Sequence, residues 1–111
     1  MATYSSHLPT IFGALSDPTR LAVVSQLLEG PASVSSLAEP HGMTRQSFMK
    51  HLKVLEAAGV VRSIKKGRVR TVALRPNALA QVEDWASLHR ARVESELDRL
   101  GEFLKTETWN D

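Results

Sequence analysis

The side chains most able to do chemistry lie between Thr44 and Gly59 of this 111-residue sequence. Arg45, Gln46 and Lys50 supply two positive charges and an amide close together in that run. Arginine and glutamine can each form two hydrogen bonds with base edges in the DNA major groove, and lysine suits phosphate oxygens. These residue types favour contact with double-stranded DNA, although an ordinary solvated helix face has a similar composition.

Apolar spacing predicts the helix that would position these side chains. Phe48, Leu52 and Leu55 recur at intervals of four and three, which places them on one face of a helix. Thr44 is a favourable N-cap, and Gly59 is a favourable residue after the last turn. The basic side chains then fall on the outer face and in the first turn. A helix of this kind can enter the major groove end-first.

The positive charge of the chain is concentrated around this helix. The net charge is only +2, yet Thr44–Arg75 holds nine of the 14 basic residues and one of the 12 acidic ones. Such a segment attracts a polyanion, and each phosphate contact would release counterions and make binding depend on salt. A basic surface that has no partner is the alternative.

Length and composition indicate one small domain of residues 1–111. The sequence is 42% hydrophobic, and it contains no cysteine, which excludes disulfides, thiolate metal sites and cysteine nucleophiles. It has no apolar run long enough to span a membrane and no signal segment at its start. We therefore expect a cytoplasmic protein that does not associate with membranes.

Two helices are predicted at the start of the chain. Helical spacing favours one over residues 8–16, and Asp17 and Pro18 form a typical start for the next, which ends at Gly30. We expect Arg20, in its first turn, to make structural contacts and not to bind phosphate. The buried face of this second helix is predicted to consist of Leu21, Val24, Leu27 and Leu28.

Residues 33–59 match a helix-turn-helix. Ser33 can cap a short third helix, and residues 40–43, which include a glycine, form a tight turn into Thr44. Two short helices joined by about four residues are typical of this motif, in which the first helix supports and the second reads DNA.

Residues 60–75 favour a β-hairpin. Two β-branched runs flank the turn at Lys66–Arg68, and the tip would carry Lys65, Lys66, Arg68 and Arg70. A cationic hairpin directly after a reading helix is typical of the wing of a winged helix, whose tip lies on the DNA backbone or in the minor groove. Lysines that protect an edge strand from aggregation are the alternative.

A long final helix is predicted over residues 77–105, with Pro76 ending the strand and Asn77 as its cap. Its apolar stripe is longer than a domain of this size needs. Apolar faces left over on the first and last helices indicate a dimer, whereas a monomer that folds this helix back on itself is the alternative.

Three segments of this sequence resemble the ArsR/SmtB family of bacterial winged-helix transcriptional repressors. They are Leu15–Leu21, Val34–Pro40 and Lys50–Val61, in the family's order and spacing. The resemblance implies a homodimer joined by its first and last helices, which binds an inverted-repeat operator and is released by an effector. It also implies that Arg45, Gln46 and Met49 contact bases. Met49 is a departure, because relatives often carry a small hydroxyl residue there.

The predicted fold is mostly α with a β-hairpin wing, in the order α-α-α-α-β-β-α. The predicted DNA-binding residues are Thr44, Arg45, Gln46, Ser47, Met49, Lys50, Lys53, Lys65, Lys66, Arg68 and Arg70. The predicted dimer interface comprises Leu8, Ile11, Phe12, Leu15, Leu79, Val82, Trp85, His89, Val93, Leu97, Leu100 and Leu104.

No metal site and no cofactor are predicted. Metal-sensing relatives carry cysteine pairs on the third helix or sets of histidine and carboxylate on the last helix. Here His89 is the one histidine of the last helix. A site formed by His89, doubled by dimer symmetry, with a carboxylate such as Asp84 is the alternative. His51 is expected to pack or to form hydrogen bonds, while His7 and His41 are expected in flexible positions. The effector is either a small molecule or absent.

Two other classes of function are the alternatives to DNA binding. An enzyme would need a nucleophile with its base, a carboxylate pair or a phosphate-binding glycine loop, and the sequence has none of these patterns. A protein-interaction module could instead use the basic segment to bind an acidic partner. Arg45 and Gln46 favour DNA, because their mixed hydrogen-bonding groups suit base edges.

Overall fold

The computed structural model describes residues 7–106, and Trp109, for which no role is predicted, lies outside them. The predicted helix and hairpin order is confirmed. Five helices occur in this part of the chain: α1 (Leu8–Leu15), α2 (Pro18–Leu27), α3 (Val34–Ala38), α4 (Arg45–Ala57) and α5 (Pro76–Thr106). Three strands accompany them: β1 (Ala32–Ser33), β2 (Val61–Lys66) and β3 (Val69–Leu74). A 3₁₀ turn at Glu39–His41 joins α3 to the segment before α4.

Three predicted N-caps are present, and each satisfies backbone N–H groups that the first helical turn leaves without partners. The Asp17 carboxylate accepts hydrogen bonds from the N–H groups of Thr19 and Arg20 at 2.8 and 3.1 Å. Ser33 Oγ accepts from the N–H of Ser36 at 3.1 Å, which starts α3. Thr44 caps α4 in the same way.

The predicted apolar stripe of α4 forms the centre of the core. Phe48, Leu52 and Leu55 are all buried, together with Ile11 of α1 and Val72 of β3. Burying each large apolar side chain contributes about 1.5–3 kcal/mol, so this stripe fixes α4 on the rest of the fold. The orientation of its polar face follows from that packing.

The predicted buried face of α2 is partly wrong. Val24 and Leu27 are buried as expected, and Val23 joins them. Leu21 is 50% exposed and Leu28 is 65% exposed. The inward face is therefore rotated toward Val23, because spacings of three and four allow more than one stripe on a short helix.

The hairpin belongs to a three-stranded antiparallel sheet in the order β1-β3-β2, and β1 was not predicted from the sequence. Ala32 pairs with Val72, so the segment before α3 is joined to the base of the hairpin. The turn contains only two residues between Lys66 and Val69. Gly67 has a φ of 61°, as the first turn position of a type II′ hairpin requires.

The last helix begins before Asn77, so Asn77 lies in its first turn and the prediction of Asn77 as its N-cap is wrong. Pro76 is its first residue, where a missing N–H costs nothing, and the carbonyl of Arg75 accepts from the N–H of Ala78 at 3.1 Å. Residues up to Gln81 belong to one compact unit with the preceding elements, and those from Val82 onward form a second. None of the helices within residues 7–106 has the length and apolarity needed to cross a membrane.

Candidate nucleic-acid interface

The outer face of α4 gathers six of the predicted DNA-binding side chains around one surface concavity of about 460 Å³. They are Arg45, Gln46, Ser47, Met49, Lys50 and Lys53. All except Met49 are exposed, and none is acidic. This face combines the hydrogen-bonding groups that read bases with the charges that bind phosphates.

Thr44 has a local role at the start of this face. Its Oγ1 accepts a hydrogen bond from the N–H of Ser47 at 3.1 Å and donates one to Ser47 Oγ at 3.1 Å. Both hydroxyl groups are therefore engaged in forming the first turn of α4. That turn carries Arg45 and Gln46, so its geometry sets the direction in which these two side chains leave the helix.

The four predicted wing cations do not form one group. Lys66 and Arg68 are exposed at the tip. Lys65 and Arg70 pair directly across the hairpin, on the face that also carries Ser63 and Val72. Arg70 is half-buried, and its Nη1 donates to Ser63 Oγ at 3.1 Å. Arg70 thus lies at the inner face of the hairpin and not at its exposed tip.

A chain of hydrogen bonds connects α4 to the hairpin, and sequence reasoning missed it. Ser63 Oγ donates to Oε2 of Glu56, near the end of α4, at 2.8 Å and accepts from Arg70. Glu56, the one acidic residue of the basic segment, therefore helps to orient the wing. The alternation of β2 could have placed Ser63 and Arg70 on one face, but it does not reveal their partner on α4.

Met49 lies between the two parts of this surface. It is half-buried, and besides facing the α4 concavity it borders a small void with Ser63, Arg70 and Val72. A methionine is flexible enough to fill such an irregular space. A substitution at this position therefore affects both the outer face of α4 and its packing on the hairpin.

Arg20 and His51 support α4 from the opposite direction. Nη1 of Arg20 lies 3.2 Å from Nδ1 of His51, and Nε of Arg20 donates to the carbonyl of Ala14 at 2.6 Å. Both residues make the structural contacts predicted for them, and the absence of phosphate binding by Arg20 stays a prediction. The pKa of the Asp17 carboxyl is lowered, chiefly by the hydrogen bond from the N–H of Arg20. Burial raises this pKa by a smaller amount. The hydrogen bond from the N–H of Thr19 and nearby positive charge lower it further.

Comparisons with known proteins agree with this geometry. A helix-turn-helix domain family matches residues 15–64. The chain is 39% identical over 80 residues to the HTH-type transcriptional regulator Rv2034 of Mycobacterium tuberculosis, covering 72% of this chain and 74% of that protein. It resembles the crystal structure of an ArsR family transcriptional regulator, RHA00566, with 47% identity, a TM-score of 0.76 and coverage of 86% and 98%. This chain belongs to the ArsR family.

The ArsR family consists of DNA-binding transcriptional regulators and not of enzymes, so the enzymatic alternative is set aside. This ArsR-family chain is also 37% identical over 76 residues to the HTH-type transcriptional regulator NmtR of Mycobacterium tuberculosis. That match covers 68% of this chain and 63% of NmtR, so the chain spans less than two thirds of NmtR.

The residues predicted for a dimer interface of this ArsR-family protein differ in exposure. Leu8 and Ile11 are buried within the chain, whereas Phe12 is 38% exposed and Leu15 is half-buried. Along α5 the exposed members are Trp85, Val93, Leu97, Leu100 and Leu104, and the half-buried ones are Leu79, Val82 and His89. Two further apolar side chains of α5, Leu88 and Phe103, lie outside the predicted set of interface residues and are exposed as well.

His41, His51 and His89 of this ArsR-family chain contact aromatic rings or polar side chains. The ring of His89 lies 4.9 Å from that of Trp85. The prediction of a flexible His41 is wrong, because its ring stacks on buried Phe48 at 5.9 Å. Within residues 7–106 no three histidine, aspartate or glutamate side chains are grouped so that they could hold a metal ion.

Proposed function

We propose that this ArsR-family protein is a dimeric repressor in the cytoplasm that binds an inverted-repeat operator. The observation that carries the proposal is the concavity on α4, which brings six predicted DNA-binding side chains together without an acidic group. In a two-fold dimer the two α4 helices would enter successive major grooves about 34–36 Å apart, one turn of DNA. Bound in this way, the dimer would cover promoter DNA, and its own promoter is one expected site.

The side chains of this surface would make two kinds of contact with DNA, one to base edges and one to phosphates. Arg45 and Gln46 leave the first turn of α4 and would read base edges, while Met49 would pack on a thymine methyl group. Lys50 and Lys53, farther along the same face, would bind phosphates. Thr44 and Ser47 shape the first turn of the helix.

The wing would add contacts that do not depend on base sequence. Lys66 and Arg68 at its exposed tip would bind the DNA backbone. Lys65 opposes Arg70 across the hairpin, and two like charges in that position repel each other. A nearby phosphate would relieve this repulsion. Arg70 would hold the wing to α4 through Ser63 in addition to any phosphate contact.

Dimer formation is supported by the apolar residues of the second half of α5. Val93, Leu97, Leu100 and Leu104 are exposed and recur at spacings of four, three and four. This spacing is that of a coiled-coil seam, in which a second helix covers the stripe. Each large side chain buried there would contribute about 1.5–3 kcal/mol. Trp85 would extend this stripe along α5, and Leu8, Ile11 and Phe12 of α1 stay predicted members of the interface.

The test is a gel-shift and footprinting experiment with DNA from upstream of the protein's own gene, with and without zinc and a chelator. We expect protection of an inverted repeat that metal does not alter. A shuffled sequence of the same composition is the DNA control, and the double variant Arg45→Ala with Gln46→Ala is the protein control. Salt-insensitive or absent DNA binding would favour the acidic protein partner instead, and release by zinc would contradict a metal-independent repressor.

A further inference from the structure

A second cavity, of about 440 Å³, lies away from the α4 concavity. It is formed by the end of α4, the base of the hairpin, the start of α5 and one side of α1. Its polar lining includes Glu56, Arg62, Arg75, Asn77 and Gln81. The volume falls within the range of about 300–1,000 Å³ that is typical of small-molecule sites.

The cavity presents both signs of charge, held apart. Within residues 7–106 neither Arg62 nor Arg75 forms an ion pair, and neither guanidinium lies within 4.0 Å of the Glu56 carboxylate. Oε1 of Gln81 is buried and has no hydrogen-bond partner in the described part of the chain. Two guanidinium groups suit a carboxylate, whereas Glu56 suits a hydrogen-bond donor such as an ammonium group.

We propose that this cavity binds a small zwitterion, an amino acid or an amino carboxylate of similar size, and that its binding weakens the hold of the protein on DNA. Arg62 and Arg75 bind the carboxylate, and Glu56 binds the ammonium group. The apolar lining, which includes Ile11, Ala58 and Ala78, receives the carbon skeleton. The regulatory part of this proposal rests on the DNA-binding function proposed above.

Glu56 couples the cavity to the DNA-binding surface. Glu56 lines the cavity. Its carboxylate also accepts the hydrogen bond from Ser63 Oγ, which in turn accepts one from Arg70. A ligand ammonium group competes with the Ser63 hydroxyl for this carboxylate. When that bond breaks, Arg70 loses its connection through Ser63 to the end of α4. The wing and α4 then fit the DNA less well at the same time.

The zwitterion can lower the affinity for DNA only by as much as its own affinity differs between two arrangements of the wing. In one arrangement the hydrogen bond between Ser63 and Glu56 is formed, and in the other it is broken. Coupling between two sites in one protein typically changes affinity by about 5–150-fold. Because the coupling is reciprocal, operator DNA lowers the affinity of the cavity for the zwitterion by the same factor.

The first experiment follows backbone amide NMR signals while the standard amino acids are added one at a time at millimolar concentration. We expect at least one to shift the signals of Gly59, Asn77 and Gln81, and Arg75→Ala to abolish that shift. Arg90→Ala, which removes an exposed arginine outside the cavity, is the matched control. If no amino acid shifts these signals, or if Arg75→Ala leaves the shift unchanged, the proposed site is wrong.

The second experiment measures operator affinity with and without the amino acid that binds. Wild-type affinity should fall by about 5–150-fold when the cavity is filled. In Ser63→Ala the connection is already broken, so affinity should start lower and change little on ligand addition. Cavity binding that leaves DNA affinity unaltered overturns the coupling. If the wild type binds no DNA even without ligand, the proposed DNA-binding function is wrong. The NMR experiment does not involve DNA, so its result on the cavity is unaffected.

Discussion

Nη1 of Arg20, at the start of α2, lies 3.2 Å from Nδ1 of His51 in the middle of α4. A guanidinium can only donate, so Nδ1 is the acceptor in this contact. The same arginine donates to the carbonyl of Ala14 at the end of α1. Three helices are thus connected through one side chain, and the charge of Arg20 is used inside the protein.

Arg20→Ala should lower stability and leave the salt dependence of DNA binding unchanged. The variant leaves the Ala14 carbonyl and His51 without their donor. Because both hydrogen bonds are partly buried, each loss should cost less than the roughly 1–3 kcal/mol of a fully buried group left unpaired. Thermal unfolding measures the loss, and DNA titrations at several salt concentrations measure the slope. Lys50→Ala is the matched comparison, since it should reduce the slope by about 0.9 and barely alter unfolding. A reduced slope for Arg20→Ala would mean that Arg20 binds phosphate.

Asp17 should make the stability of the fold depend on pH in the acid range. Its pKa is lowered in the folded protein, chiefly by the N–H of Arg20, so its contribution is complete above the unfolded pKa of about 4. That contribution is lost as the pH falls through the lower folded pKa. Asp17→Asn keeps a capping side chain but cannot titrate there. The stability difference between wild type and variant, from thermal unfolding, should therefore narrow below about pH 4; a constant difference would contradict this.

Lys66→Ala combined with Arg68→Ala should weaken binding to all DNA sequences alike. Removing one bound phosphate from the interface reduces the salt slope by about 0.9, so the double variant should flatten it by roughly one to two units. Fluorescence anisotropy at several salt concentrations gives both affinity and slope. Lys105→Ala, which removes an exposed cation at the end of α5, should leave both unaffected.

Arg45→Ala and Gln46→Ala should relax base preference at particular positions of the operator. Each bidentate contact discriminates against a wrong base by about 1–3 kcal/mol. Selection of binding sites from a randomised pool measures the preference. Met49→Ser should change the preferred base at one or two positions by removing a contact with thymine methyl. If the variants of α4 and those of the wing change affinity and base preference in the same way, the assignment of separate roles to the two elements is wrong.

Leu97→Glu combined with Leu100→Glu should convert the dimer into monomers. Leu97 is 61% exposed, and both residues lie on the stripe proposed to be covered by the second copy. A buried carboxylate at such a seam is costly. Sedimentation velocity measures the oligomeric state, and Ser87→Glu, at an exposed polar position of the same helix, is the control. Unchanged sedimentation would place the interface elsewhere.

Features determined by neighbouring residues in the sequence could be predicted. The caps at Asp17, Ser33 and Thr44 depend on local chemistry, and the stripe of α4 depends on a short repeat. Pairings between distant residues could not be predicted. The two residues of β1 show no periodicity, and only their contact with Val72 makes them a strand.

At the candidate site, too, contacts between residues distant in the sequence could not be predicted. The sequence places Arg45, Gln46 and Lys50 on one helix face, and the structure groups them. The sequence does not show that the Arg70 side chain is hydrogen-bonded to Ser63. That bond depends on the hairpin register and on Glu56, which lies in α4. Whether a cation is available to DNA is decided by its partners, which composition alone does not reveal.

The short strand β1 also determines how different parts of the wing fluctuate. Thr71 and Val72 lie in the middle strand, with neighbours on both sides, whereas residues near Gly67 have a partner on one side only. Amide hydrogens at the base should therefore exchange with solvent only when the compact unit opens, while those at the tip exchange through local fraying. A wing of this kind has a fixed base and a compliant end, so its tip can reach phosphates at slightly different positions along an irregular DNA backbone without disturbing α4.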